Sequence, residues 1–209
     1  ARVEVMSQPF SFFGQIPASK SLFNRALIAA SYASHPVEIL GFSDSDDIEL
    51  MRTALQNLKC YQPMDCGQAG TVLRFMALRA SRQPGEYELR GSPRLFSRPQ
   101  DELLRILRQL GVEARLHSDR LVIRTLGWKP MGDSLHVPSD RSSQFASAVL
   151  LNCWDLPESM FLSIGARMVS LPYWTMTVGL MRHFGMQVDL TDGDCRIWAR
   201  QQVKIQSYT

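Results

Sequence analysis

The sequence predicts an α/β domain of three pseudo-symmetric repeats, with buried helices at the centre, small sheets outside, and no hairpin in the first repeat. Three observations carry this reading. A small-polar turn feeding an apolar run occurs three times, each run leads through a strand-like segment to an amphipathic helix, and two copies share one ending.

The turns are Ser19-Lys-Ser-Leu-Phe-Asn-Arg, Gly67-Gln-Ala-Gly-Thr-Val-Leu-Arg and Ser139-Asp-Arg-Ser-Ser-Gln-Phe-Ala. They feed ALIAASYA from Ala26, FMALRA from Phe75 and SAVLLNCW from Ser147. These runs are apolar nearly all round, the mark of a fully buried helix. The strand-like segments VEILGF at Val37, YELRGS at Tyr87 and MFLSIGA at Met160 come next. The second helices follow from Asp46, Arg98 and Pro172, with one apolar stripe such as Leu103, Leu104, Leu107 and Leu110. Gly111 and Gly185 then fit helix stops, where the left-handed backbone costs glycine little. Hairpins close the second and third copies, VEARL-HSD-RLVIRTLG and MQVDL-TDGD-CRIWAR, the latter turning at Asp192-Gly193. The first copy runs from Leu58 through Tyr61-Gln-Pro straight to Gly67.

Composition narrows the function. The chain has 209 residues, enough for a sizeable core, and is 45% hydrophobic and 21% charged. A net charge of +3 gives no basic stripe for nucleic acid and no polybasic membrane anchor. No apolar run approaches the ~18 residues of a membrane span, and no signal-peptide pattern opens the chain. A soluble, cytoplasmic location is expected. Cys60, Cys66, Cys153 and Cys195 form no CxxC pair, and His35, His117, His136 and His183 complete no zinc spacing. Free thiols and no metal site are expected, a Cys60–Cys66 disulfide remaining open. The chain opens on Ala1 and ends at Thr209 in mid-pattern, as an excised piece would.

Three buried helices starting at equivalent places can converge their N-termini on one surface. Each such end carries unpaired N–H groups and about half a positive charge, a ready anion site. Gly67 and Gly70 permit close backbone approach, and Ser21, Ser142 and Ser143 add hydroxyl donors. Lys20 and Arg25 sit in a helix's first turns, where a cation opposes the dipole at a cost of roughly 0.3–1 kcal/mol. An anion between cation and helix end removes that conflict; the plain alternative is two solvated surface charges. Arg74, inside an apolar run, is expected to pair with a carboxylate such as Asp46 or Asp47. Tyr173 and Trp174 could serve as core aromatics.

These residues carry a family resemblance. Pro17-Ala-Ser-Lys-Ser-Leu-Phe-Asn-Arg25 resembles the P-G-S-K-S-x-S-N-R signature of the 5-enolpyruvylshikimate-3-phosphate synthases. Gly67-Gln-Ala-Gly-Thr71 resembles their G-N-A-G-T turn, and Gly91-Ser-Pro-Arg-Leu-Phe-Ser-Arg-Pro99 their G-x-x-R-x-x-x-R-P segment. Ser142-Ser-Gln144 and Ser170-Leu-Pro-Tyr173 match S-S-Q and S-K-P-Y.

The resemblance implies an enolpyruvyl transferase-like fold, one domain of threefold βαβαββ repeats out of two that close over the substrates. Residues 1–209 would then be a single substrate-binding domain, the first of the pair, with the second as its partner. It implies shikimate-3-phosphate contacts at Ser21, Arg25, Ser142, Ser143, Gln144, Ser170 and Tyr173. Phosphoenolpyruvate contacts fall on Lys20, Gly70, Arg98 and Gln144, with Lys20 also catalytic. No cofactor or metal is implied. Because the family's acid/base carboxylates lie in the second domain, binding without turnover is expected of this chain.

The chain departs from the family pattern at Ala18, Phe23, Gln68, Phe75, Phe96, Ser97 and Leu171. Three rivals stand beside the synthase. They are a UDP-N-acetylglucosamine enolpyruvyl transferase, a non-catalytic anion-binding descendant, and an RNA-end-processing protein built on related units. The S-K-S and S-S-Q motifs oppose the first, the new phenylalanines favour the second, and the mild charge opposes the third.

Overall fold

The computed structural model of the protein describes residues 17–165, 167–191 and 193–209; Asp192, half of the expected hairpin turn, lies outside them. The described residues form seven helices and ten strands. The first repeat supplies α1 (Lys20–Ala30), β1 (Glu38–Ile39) and α2 (Asp46–Lys59). The second contains β2 (Met64–Asp65), α3 (Gly70–Ser81), β3 (Gly85–Arg90), the short α4 (Pro93–Phe96), α5 (Asp101–Gln109), β4 (Glu113–Leu116) and β5 (Arg120–Thr125). The third contains β6 (Ser134–His136), α6 (Gln144–Leu151), β7 (Met160–Ser163), α7 (Leu171–His183), β8 (Val188–Leu190) and β9 (Asp194–Ile197), and β10 (Ser207–Tyr208) follows.

Apart from α4, the second and third repeats share one topology. Their sheets run β2-β3-β5-β4 and β6-β7-β9-β8, with the first pair parallel and the others antiparallel. The first repeat has no hairpin between α2 and β2, as expected, and its β1 pairs in parallel with β10 from the far end of the chain. No motif in the sequence announced that pairing. Residues 98–100, expected to begin the second helix of the middle repeat, precede it, because Ser92 first closes a separate turn by accepting from the Leu95 N–H at 3.3 Å.

Burial follows the apolar pattern. Ten of the twelve residues of α3 and seven of the eight of α6 are buried. By contrast α5 buries only Leu103, Ile106 and Leu107, so Ile106 takes the place in the stripe expected of Leu104. Helix α3 packs on α6, and α1 touches α2, α3 and α7, forming one core that includes Phe75, Met76, Met181 and Phe184.

Both expected glycine stops are Schellman ends. Val112 N donates to Leu107 O at 2.9 Å and Met186 N to Met181 O at 2.9 Å, with Gly111 at φ 73° and Gly185 at φ 101°. Helix α2 ends the same way, Gln62 N donating to Asn57 O at 3.0 Å, but Tyr61 holds the left-handed position at φ 56°. A non-glycine residue there costs about 1–2 kcal/mol, and stacking of Tyr61 on Tyr87 at 5.7 Å offsets part of it. Among the described residues no helix is long and apolar enough to cross a membrane.

Candidate functional site

The core helices bring their N-termini to one place. At α1, α3, α6 and α7 no N-cap side chain bonds the first turn, and no acidic residue lies in it. The amphipathic helices α2 and α5 also lack a side-chain cap bond, but they open on acidic residues, Asp46, Asp47 and Glu49 in α2 and Asp101 and Glu102 in α5. A missing cap forgoes about 1 kcal/mol per helix. With no acidic first turn, the four ends keep their positive poles available to an anion, although at α6 the Gln144 N–H donates to Ser142 Oγ at 3.2 Å.

Two adjoining cavities open at these ends. The larger, about 650 Å³, includes Lys20, Gly70, Arg74, Arg98 and Gln144 in its wall. The smaller, about 210 Å³, is lined by Ser21, Arg25, Ser142, Ser143, Ser170 and Tyr173, with Thr71 and Gln144 common to both. All ten residues expected at the site therefore line one cavity or the other. A separate cavity of about 380 Å³, with Trp128, Met160 and Phe161 in its wall, holds no cation and two carboxylates, Asp133 and Glu158. Charge assigns anion binding to the first two.

Arg25 is the centre of the smaller cavity. It is 2% exposed, donates from Nε to Thr177 Oγ1 and from Nη1 to the Ser21 carbonyl, both at 2.8 Å, and lies 5.4 Å from the Phe75 ring centroid. Burial lowers its pKa to about 10, opposed by Tyr173, so it remains charged at neutral pH. Among the described residues no carboxylate pairs with it. A buried cation without a counter-charge is costly, and an anion in the adjoining cavity supplies one.

In the larger cavity the Lys20 ammonium lies 3.2 Å from Asp47. Asp47 is thus not the partner of Arg74, contrary to expectation. Arg74 instead donates from Nη1 to Gln144 Oε1, with its guanidinium 4.8 Å from the Phe145 ring centroid. A Cβ built on Gly70 would stand 3.4 Å from Arg74 Nη1 and 3.5 Å from Arg98 Nη1, so both guanidiniums face the bare backbone there. Burial, and secondarily the charge of Arg98, lowers the Arg74 pKa. The site is a cationic double pocket, its halves joined through Thr71 and Gln144.

The family model for EPSP synthase (3-phosphoshikimate 1-carboxyvinyltransferase) matches residues 14–63 and 59–208. The chain belongs to the EPSP synthase family. A 3-phosphoshikimate 1-carboxyvinyltransferase of Tropheryma whipplei is 31% identical over 247 residues, covering 95% of this chain and 55% of that protein. One from Shewanella halifaxensis is 30% identical over 209 residues, covering 85% and 48%. An EPSP synthase structure from Acinetobacter baumannii superimposes with a TM-score of 0.75 at 16% identity over 93% of this chain and 48% of that one, and supports the fold. The chain spans about half the length of the curated relatives it matches.

Within the EPSP synthase frame, the unusual phenylalanines belong to the core. Phe23, Phe75 and Phe96 are 3%, 0% and 7% exposed and line neither cavity. Leu171, where the family has lysine, is 55% exposed. Sequence reasoning missed Thr71, Arg74 and Thr177 as site residues. Thr177 sits one helical turn after Tyr173, whose carbonyl accepts from its hydroxyl at 2.8 Å, a signal visible only once Arg25 is placed beside it. Cys60 is an exposed free thiol and Cys66, Cys153 and Cys195 are buried free thiols, so Cys60 and Cys66 are not bonded.

Proposed function

We propose that this chain forms the shikimate-3-phosphate half-site of a 3-phosphoshikimate 1-carboxyvinyltransferase and is the first of its two domains. The division of the ten residues supports the reading most. Those expected to hold shikimate-3-phosphate surround the smaller cavity, those expected to hold phosphoenolpyruvate the larger, and Gln144, expected at both ligands, lines both.

In this scheme a hydroxyl of shikimate-3-phosphate adds to the central carbon of phosphoenolpyruvate while its methylene is protonated. Loss of phosphate with a methyl proton then restores the double bond. Two polyanions must approach each other, so their repulsion has to be offset. Arg25 and the N-terminal ends of α6 and α7 serve the first substrate; Lys20, Arg98 and the N-terminal end of α3 serve the second. Lys20, half-exposed beside Asp47, is the residue placed to follow the developing charge. The acid/base groups and remaining cations come from the second domain, whose closure excludes water. The reaction belongs to aromatic amino acid biosynthesis in the cytoplasm.

The test is calorimetric titration of the folded chain with shikimate-3-phosphate, repeated with Arg25→Ala and Ser143→Ala. Saturable binding, lost in Arg25→Ala, is expected, with no product when phosphoenolpyruvate is added. A folded chain that takes up no shikimate-3-phosphate, or that turns it over alone, refutes the reading.

A further inference from the structure

Arg74 is a fourth cation in the cavity walls, unused by the expected contacts with either ligand. Its surroundings are not those of a structural arginine. Asp46 and Asp47 line the same cavity, yet neither forms an ion pair with it, and Asp47 is taken by Lys20 at 3.2 Å. Its Nε is buried without a partner among the described residues. Its one hydrogen bond among those residues runs from Nη1 to Gln144 Oε1, and its guanidinium lies against the ring of Phe145, the next residue.

That bond fixes an otherwise ambiguous group. A primary amide has an accepting oxygen and a donating NH₂, and a free one turns over between them. A guanidinium has only donors, so the amide atom facing Arg74 has to be the oxygen. The Gln144 NH₂ is then turned away from Arg74, and among the described residues it has no hydrogen-bond partner. Gln144 is also common to the two cavities. The amide is therefore set as a donor where the two anions would meet, and its oxygen, which would repel them, is held out of their way.

We propose that Arg74 is a positioning residue that locks the Gln144 amide with its NH₂ toward the junction of the two cavities, making Gln144 a committed donor to the bound anion. The inference rests on the anion-binding reading above. Three measurements test it and separate the two.

In titrations with phosphoenolpyruvate, Arg74→Met, which keeps an apolar stem against Phe145, should weaken binding at least tenfold. In a Gln144→Ala background the same change should cost no more than about twofold, since residues acting through one another are non-additive. Unchanged affinity in Arg74→Met, or the same loss in both backgrounds, overturns the proposal. Arg74→Leu, likewise without a donor, serves if the Met variant does not fold. The second measurement needs no ligand. The side-chain NH₂ of Gln144 should give one well-resolved pair of nitrogen-correlated proton signals, moving to free-amide positions in Arg74→Met; a pair that does not move overturns the lock. The third is shikimate-3-phosphate uptake on Arg25. If it holds while phosphoenolpyruvate binding ignores Arg74, this inference alone fails. If the wild-type chain takes up neither ligand, the anion reading and the role of the lock fall together.

Discussion

Replacing Arg25 with methionine separates what this buried cation costs the fold from what it contributes to binding. The lowering of its pKa to about 10 corresponds to about 3 kcal/mol against the charged form in the fold. The side chain is 2% exposed, so solvent screening takes little from that figure. Methionine removes the penalty and keeps an apolar stem against Phe75, but gives up two charged hydrogen bonds, to Thr177 Oγ1, which keeps Ser147 Oγ at 2.9 Å, and to the Ser21 carbonyl, which keeps its helical N–H. Each lost charge-assisted bond is worth roughly 1.5–3 kcal/mol, so the gain offsets much of the loss. The melting temperature should stay within about 5 °C of wild type, at ~2–4 °C per kcal/mol for a chain of this size. Shikimate-3-phosphate binding should fall at least thirtyfold, since truncating one member of a buried charge pair costs about 2–5 kcal/mol. Differential scanning fluorimetry and calorimetric titration measure the two effects. For a base with a lowered pKa the penalty is present below the folded value and relieved above it. Wild type should therefore gain stability relative to Arg25→Met as pH rises above about 10. A variant that melts more than about 10 °C lower, or binds within threefold of wild type, would refute the assignment of Arg25 to ligand rather than scaffold.

Gly70→Ala should raise stability by about 0.5–1 kcal/mol, because Gly70 is the first residue of α3. Its methyl group would stand 3.4 and 3.5 Å from the Arg74 and Arg98 guanidiniums, and phosphoenolpyruvate affinity should fall about tenfold; a titration matching wild type contradicts the placement of the anion there. Phe75→Ala removes a fully buried ring and should cost about 3–5 kcal/mol, read as a drop of ~6–20 °C in thermal melting. It also removes the ring beside Arg25, so shikimate-3-phosphate binding should weaken as well. Of the four cysteines only Cys60 is exposed, and burial pushes the thiols of Cys66, Cys153 and Cys195 up. One equivalent of a thiol reagent should react at pH 8 in the native chain and four after denaturation; a second fast native thiol would show that the core packing is wrong.

Much of the architecture can be read without coordinates because it is local. The near-continuous apolar runs from Ala26, Phe75 and Ser147 have no polar face, which calls for burial; the structure buries the second and third throughout, but of the first only Ala26, Ile28 and Ala29, the rest being half-buried. Gly111 and Gly185 mark helix ends because the left-handed position is cheap only for glycine. The third such end was hidden because Tyr61 occupies it. The extra turn at Pro93–Phe96 was hidden too, since its Ser92 and Pro93 read equally well as a loop before one long helix.

The site divides in the same way. Lys20, Ser21 and Arg25, and likewise Ser142, Ser143 and Gln144, are short segments at helix starts, where residue type and spacing already specify an anion-binding end. Three things could not be read there. Arg74 meets Gln144 across 70 positions of sequence, Arg25 meets Thr177 across 152, and β1 meets β10 from opposite ends of the chain. The sequence by itself determined the repeats, the buried helices and the chemistry of each helix start, since these depend on neighbours a few residues away. Only the tertiary structure decided that Asp47 goes to Lys20 and Arg74 to Gln144. A charge takes whichever partner the packing of distant helices brings within a few ångströms, and periodicity carries no record of that distance.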